Sequence, residues 1–547
     1  MTQPIADQLG VWKLPPNLRS CFNARGYYDP LRFVVRLRPD IRRRLEALEP
    51  GVRNSGEISD DIIFDHSTYF HETVHWSQHT GSTSGLLLSF MYPAQMHLNR
   101  RSLAQFTKAP YNVKPLSKLA EIWAQAKANG APPDLLNPEL NRILNNWHDM
   151  ESFRWLLTNP NKASEVLADE YFYSSSHCFE VGIASFLWLL AATVDRNQTC
   201  VPDPRPWESE FERLAKSGTA GFARGSALPE PPLGALEIFE GQARFSQMQF
   251  LRKSTRKYRT WSDFERAGMF RDVYSSAFKF FCAALQEAIP SDPNDPLVAM
   301  FLLVCDVAMN PAEFLLLPPK TIQEIERAIH PGHRFVAACE TLKKLGSVFY
   351  KNITRFTKEE YEVAVERICA ENGWASPLDI AAEMARWTAE QPSIAQIRDE
   401  TISLTFQPMN MPVRLFFGKF LLYHEMKRTH PEVLCWPGFW AAGNDRVDYL
   451  APLLEELAPV FIDTVEGEVK ARAVEGKSLT TLGKLMNDFF SWISLYDLTR
   501  QWIMVDDGFD YDLTWLTLQY SAEEQERLLS SIFKNAYGIE PRSLISI

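Results

Sequence analysis

Residues 71–75 read His71-Glu72-Thr73-Val74-His75, and this pentapeptide constrains the chain more than any other stretch of its 547 residues. It lies in a segment whose apolar spacing predicts a helix over 60–79. Two histidines four apart project from one face of a helix, one turn above the other. Their imidazoles can therefore converge on a single metal ion. Glu72 sits about 100° round the same helix, beside such an ion, where it can handle the proton of an attacking water.

The flanks support a partly buried helix. Ser59 is a candidate N-cap, with Asp60 and Asp61 in the first turn complementing the macrodipole. Ile63, Phe70 and Val74 recur at helical spacing and predict a buried stripe. Gly81 is expected to end the helix in the left-handed conformation.

Here the chain resembles the zincin metallopeptidases, over this helix and one further segment. The resemblance implies that His71 and His75 are zinc ligands and that Glu72 is the general base. The third ligand has to come from elsewhere. A metzincin would carry glycine at Gln78 and histidine at Gly81, so that pattern fails. His79 lies roughly 12 Å along the axis from His71, too far for three rings to share one small ion. No acid follows Glu72 until Glu121, and the aminopeptidase-type spacing meets Ala94.

Among the later acids, Glu240 stands out. Glu240-Gly241-Gln242-Ala243 is similar to the E-G-x-A element that supplies the third ligand in many gluzincins. A glycine inside a helix costs about 1 kcal/mol relative to alanine, and is tolerated where another backbone comes close. Gly241 and Ala243 are expected to let this helix approach the 60–79 helix. Glu237, one turn earlier, is the expected acceptor for a ligand histidine. Glu237 and Glu180 remain alternative ligands, and a surface Glu240–Arg244 pair is the bland alternative. Candidate donors for an oxyanion are His177, Arg244, Tyr171 and Tyr173.

The formal net charge is −11, and the arginine cluster at 36, 38, 42, 43 and 44 is interrupted by Asp40, which argues against nucleic-acid binding. That cluster reads as a solvated helix face. Eight scattered cysteines without C-x-x-C exclude a zinc ribbon and suit a reducing compartment. The stretch 1–16 does not read as a signal peptide, and the apolar runs 181–194 and 297–317 read as core helices rather than membrane spans. The expectation is a cytoplasmic protein.

The fold expected is mainly α, with a small sheet near the metal site: a zincin-like core plus a large additional helical domain. The strand expected beside the site is 31–37, and a hairpin is the alternative at 502–505 and 511–516. Helices are expected at 115–129, 137–158, 176–194, 233–252, 262–286, 294–309, 320–346, 357–371, 377–391, 411–428, 446–473 and 521–534. The stretch 201–232 is expected to be a loop. The Pro-rich break near 290 divides a catalytic domain, 1–290, from a helical one, 291–547.

Function follows as expectation: a Zn2+-dependent metalloendopeptidase acting on a peptide or protein substrate, with a regulatory protein partner in prospect. Two other classes stay open. One is an interaction protein with a structural zincin core; the other is a zinc hydrolase of a non-peptide amide or ester.

Overall fold

The computed structural model describes residues 24–48, 58–315, 321–442 and 450–547. The stretch 1–16, Cys21 and the start of the expected helix 446–473 lie outside them. The fold is mainly α, 66% helix against 4% strand, with a small mixed sheet. The helices that frame the site, labelled in chain order, are α1 Asp60–Gly81, α2 Thr83–Leu103, α3 Asn137–Thr158, α4 Ser175–Val194, α5 Ala235–Ser254, α6 Val273–Leu285, α7 Pro296–Met309, α8 Ile325–Ile329 and α9 Pro331–Leu345.

Helix α1 starts as its sequence dictates. The Ser59 hydroxyl accepts a hydrogen bond from the Ile62 N–H at 3.4 Å, with Asp60 and Asp61 in the first turn. Its end differs from expectation. Gly81 is the last helical residue, and Ser82 leaves in an extended conformation with φ −98°. Glycine is needed there for space: a Cβ would lie 2.4 Å from the Tyr423 ring. Ser82 then caps α2, accepting from the Gly85 N–H at 3.0 Å.

The sheet has the order β1 Gly26–Asp29, β2 Val34–Leu37, β3 Phe461–Asp463 and β4 Val469–Ala471. β1 runs antiparallel to β2, β2 parallel to β3, and β3 antiparallel to β4. The strand expected at 31–37 is therefore shorter. The Asp29 carboxylate accepts from the N–H groups of Leu31 and Arg32 and closes the turn between β1 and β2. The sheet edge is β1, one strand earlier than expected, and it packs on α1. The arginine cluster is a solvated face only in part: Arg43 and Arg44 are exposed, whereas Arg36 and Arg42 are buried. Arg42 pairs with Asp463 in the interior, and Arg36 donates to the Trp515 carbonyl at 2.8 Å.

Other expectations are corrected. The segment 446–473 is not one helix: Leu450–Leu457 is helical, and the rest makes β3 and β4 around a turn at Gly467. No hairpin forms at 502–516, because Leu479–Met504 is a single helix buried along one side. The 262–286 helix breaks at Gly268 (φ +72°) and Asp272 (φ +43°). Pro331 lacks an N–H and restarts the 320–346 segment as α9. The 201–232 loop contains a helix, Arg205–Lys216, with Trp207, Phe211 and Leu214 on its buried side.

The break near 290 forms the loop between α6 and α7. The main hydrophobic cluster includes Phe278 and Phe281 before it and Leu297 and Phe301 after it. α4 is longer than the apolar run read from the sequence. It is long and apolar enough to cross a membrane, yet 72% of that apolar window is buried inside the protein.

Two tests follow from this packing. Gly332 opens α9 against the segment leading into α5; a Cβ there would lie 1.9 Å from the Leu233 carbonyl oxygen. Gly332→Ala is expected to destabilise by about 1–3 kcal/mol or more, seen as a lower denaturant midpoint. Glu326 on α8 is fully buried, with neither carboxylate oxygen hydrogen-bonded among the described residues. Burial lifts its pKa from 4.5 to about 7. The folded state then holds an extra proton between those values, so stability falls as pH rises from about 4.5 to 7. Glu326→Gln is expected to change little near pH 4.5, and at pH 8 to raise stability by on the order of 1–3 kcal/mol. Equal midpoints for both proteins at pH 8 would show that the carboxylate is not penalised.

Candidate metal centre

α1 and α5 pack closely along their lengths and bring three side chains together. His71 Nε2 and His75 Nε2 are 3.1 Å apart. Glu240 Oε2 lies 3.4 Å from the first and 3.2 Å from the second. Zinc bonds of about 2.0–2.1 Å at tetrahedral angles separate their ligand atoms by about 3.3–3.4 Å. The triangle has the size that one such ion requires.

The ring of His75 is oriented by Gln78, one turn along α1. Its Nδ1 lies 2.8 Å from Gln78 Oε1, an acceptor only, so Nδ1 carries a proton and Nε2 is the nitrogen turned to the triangle. The Gln78 amide nitrogen donates to the Phe239 carbonyl at 2.9 Å and to Gln242 Oε1 at 2.8 Å, both on α5. His71 Nδ1 is buried with no such partner among the described residues.

The charges show what the triangle accommodates. Burial pushes His71 down to about 3. Burial also opposes charge on His75, but Glu240 outweighs it and lifts His75 to about 9. Glu240 is half-buried, which opposes its charge, yet the two histidines hold its carboxyl well below the usual range. The site therefore favours positive charge where Nε2 and Oε2 converge. A divalent cation fits that demand, and two imidazoles with one carboxylate are a donor set suited to zinc.

Glu72 is buried, and its carboxylate lies with the ligand atoms of His71 and His75 inside a 4.8 Å group. Burial raises its pKa to about 7, and the Tyr28 backbone N–H donates to it. Gly26 of β1 lies directly over it: a Cβ there would meet Glu72 Oε1 at 2.7 Å. Glu72, the three triangle residues, His79, Tyr28, Tyr92, Phe239 and Tyr274 all line one cavity of about 370 Å3. Burial holds His79 at about 3, so it stays neutral. It contributes a ring against Tyr28 and Phe239 and stands outside the triangle.

Several expected roles fall elsewhere. Glu237 does not face a ligand histidine; it caps α5, accepting from the Gly234 N–H at 2.9 Å. Glu180 lies 3.9 Å from His177, and His177 lies 3.2 Å from Asp149, in a cluster that does not line this cavity. Tyr171 stacks on His148, and Tyr173 packs beside His177. Gly241 faces away from α1, with Phe301 at 3.2 Å and Ala277 at 3.5 Å from an added Cβ.

Arg244 is near the site but does not line the cavity. Its guanidinium lies 4.0 Å over the Tyr274 ring. Tyr274, absent from the sequence reading, lines the cavity with its ring centroid 6.0 Å from that of His71. No local pattern marks Tyr274. Gln78 did carry a signal, since a residue three positions after His75 shares its face.

Comparison of this chain with protein-family models, with curated proteins and with solved structures finds no match.

Gln78→Leu removes the acceptor for His75. Zinc affinity is expected to fall about 10- to 100-fold, measured by competition with a chromophoric chelator. An unchanged affinity would mean that packing alone orients the ring.

Proposed function

We propose that this chain is a zinc-dependent hydrolase of peptide bonds. The observation that carries the reading is the convergence of His71, His75 and Glu240 to 3.1–3.4 Å, with Glu72 beside them, in a lined cavity. His71 and His75 on one helix and Glu240 on another would hold the ion. Bound zinc would polarise the scissile carbonyl and lower the pKa of water.

The protein's own groups supply the rest. Glu72 accepts a proton from the attacking water and delivers it to the leaving nitrogen; its buried carboxylate, lifted to about 7, suits both directions. Tyr274, with Arg244 behind its ring, offers an O–H donor to the developing oxyanion.

The edge strand supports an extended substrate. The Arg25 carbonyl accepts from the Arg38 N–H at 3.0 Å, which sets the alternation along β1. Tyr27 and Asp29 then turn their backbone groups to β2, while Gly26 and Tyr28 turn theirs towards Glu72 and the cavity. A peptide laid along this edge would gain backbone hydrogen bonds next to the general base.

Metal analysis and turnover on a random peptide library test the reading together. Glu72→Gln is expected to keep zinc and to lose hydrolysis by about 10^2–10^4-fold. Glu240→Ala is expected to lose the metal as well. Full turnover by Glu72→Gln, or none by the zinc-loaded wild type on any library member, would overturn it.

A further inference from the structure

The cavity has a second polar end that metal binding and proton transfer do not use. Arg154, near the end of α3, is the one arginine or lysine among the described residues that line it. Its side chain is 11% exposed. Its guanidinium rests 4.5 Å over the Tyr92 ring, and its Nε–H is buried with no partner.

The nearest acid does not satisfy it. Glu151 Oε1 is 3.9 Å from the guanidinium, beyond hydrogen-bond distance, and that oxygen accepts from Trp147 Nε1 at 3.0 Å instead. Tyr28 lines the same cavity, and its hydroxyl is also buried without a partner among the described residues. The Tyr28 ring is fixed by Phe33, Trp76 and His79.

Buried donors are expensive to leave unpaired, and a buried guanidinium more so. Core arginines elsewhere in this protein do find acceptors: Arg42 pairs with Asp463, and Arg414 lies 3.0 Å from Glu400. Arg154 meets the Tyr92 and Tyr496 side chains but no carboxylate within hydrogen-bond distance, and it lines a cavity that also holds the rings of Tyr28, Tyr92 and Tyr274. A planar fork of N–H groups matches a carboxylate better than any other common peptide group. The cavity volume of about 370 Å3 suits a short segment of chain.

We propose that Arg154 and the Tyr28 hydroxyl form a carboxylate-binding subsite, so that the substrate is a peptide presenting an acidic side chain or a free C-terminal carboxylate to this end of the cavity. The assignment of a hydrolysed substrate rests on the hydrolase reading above; the carboxylate subsite itself does not. Arg154 comes from α3 and holds none of the metal-site groups, so its role is selection of substrate.

The test uses the full chain, zinc-loaded, and internally quenched heptapeptides that differ only in one Glu or Gln and in a free or amidated C-terminus. Wild type is expected to prefer the carboxylate-bearing member by about 10- to 100-fold in kcat/KM, as a charge-assisted hydrogen bond to a buried group would give. A preference that follows the Glu assigns the side chain; one that follows the free terminus assigns the C-terminal carboxylate. Arg154→Gln is expected to bring that ratio to about one.

Arg154→Lys is expected to keep a reduced preference, because the charge remains and the fork is lost. Tyr28→Phe, which removes one hydroxyl, is expected to lower it several-fold. These two variants carry the test if Arg154→Gln does not fold. Equilibrium binding of the same peptides to zinc-loaded Glu72→Gln gives a readout without turnover. Tighter binding of the carboxylate peptide than its neutral twin, lost on changing Arg154, upholds the subsite even if no peptide is cut, and only the hydrolase reading then fails. Equal binding of both peptides to the unmodified Arg154 site overturns the proposal, whatever the hydrolysis shows.

Discussion

A single buried amide sets the geometry on which the candidate site depends. Gln78 takes the His75 N–H with its oxygen and gives both protons of its nitrogen to α5, at the Phe239 carbonyl and at Gln242. It is 4% exposed, so each of these bonds replaces water that is no longer there. An amide so placed tolerates one helix register and penalises others. Further along the same crossing, Gln247 donates to Ser67 at 2.9 Å and pins the two helices a second time. A one-residue slip of α5 would swing Glu240 by about 100° and separate it from the histidines. The triangle of His71, His75 and Glu240 is therefore a consequence of helix register, fixed by Gln78 and Gln247, which stand outside it.

The electrostatics follow from the same burial. Water is scarce around Glu72, His71 and His75, so charge is stabilised only by neighbours. Glu240 is the neighbour that matters most to His75, and Glu72 is left without an equal partner, which is why its pKa rises to about 7 while that of Glu240 falls. Two carboxylates that line the same cavity are thus driven in opposite directions by their surroundings. Such a split is the usual physical basis for giving one acid a structural or ligand role and the other a proton-transfer role.

What the sequence made legible was local. The pentapeptide, its N-cap and its buried stripe all depend on residues within one helix, and α1 forms as those residues imply. The sequence reading singled out Glu240 for a neighbouring glycine, but that glycine packs on Phe301, and the approach of α1 rests on Gln78 instead. α2 is not among the expected helices because most of its sides are buried, so no broad polar face gives it a period, and Pro93 stands inside it. β3 and β4 fall inside the expected helix 446–473: β4 pairs only with β3, and β3 pairs with β2, more than 400 residues away in sequence. Pairing at that range leaves no trace in a local window. The role of Arg154 was equally invisible, since a guanidinium is informative only once its missing acceptor is known.

The long separation of His75 and Glu240 has its own physical logic. His75 and Glu240 stand 165 positions apart. Loop-closure entropy grows only as the logarithm of length, about 0.6 kcal/mol for each doubling, so such a span is not prohibitive. The intervening chain also does more than connect. α2 supplies Leu88 and Tyr92 to the cavity wall, and α3 supplies Arg154 and Thr158. The helices between α1 and α5 thus supply part of that wall. A shorter connection would bring the triangle together as readily, but without these residues there would be no enclosed space beside it to select what enters.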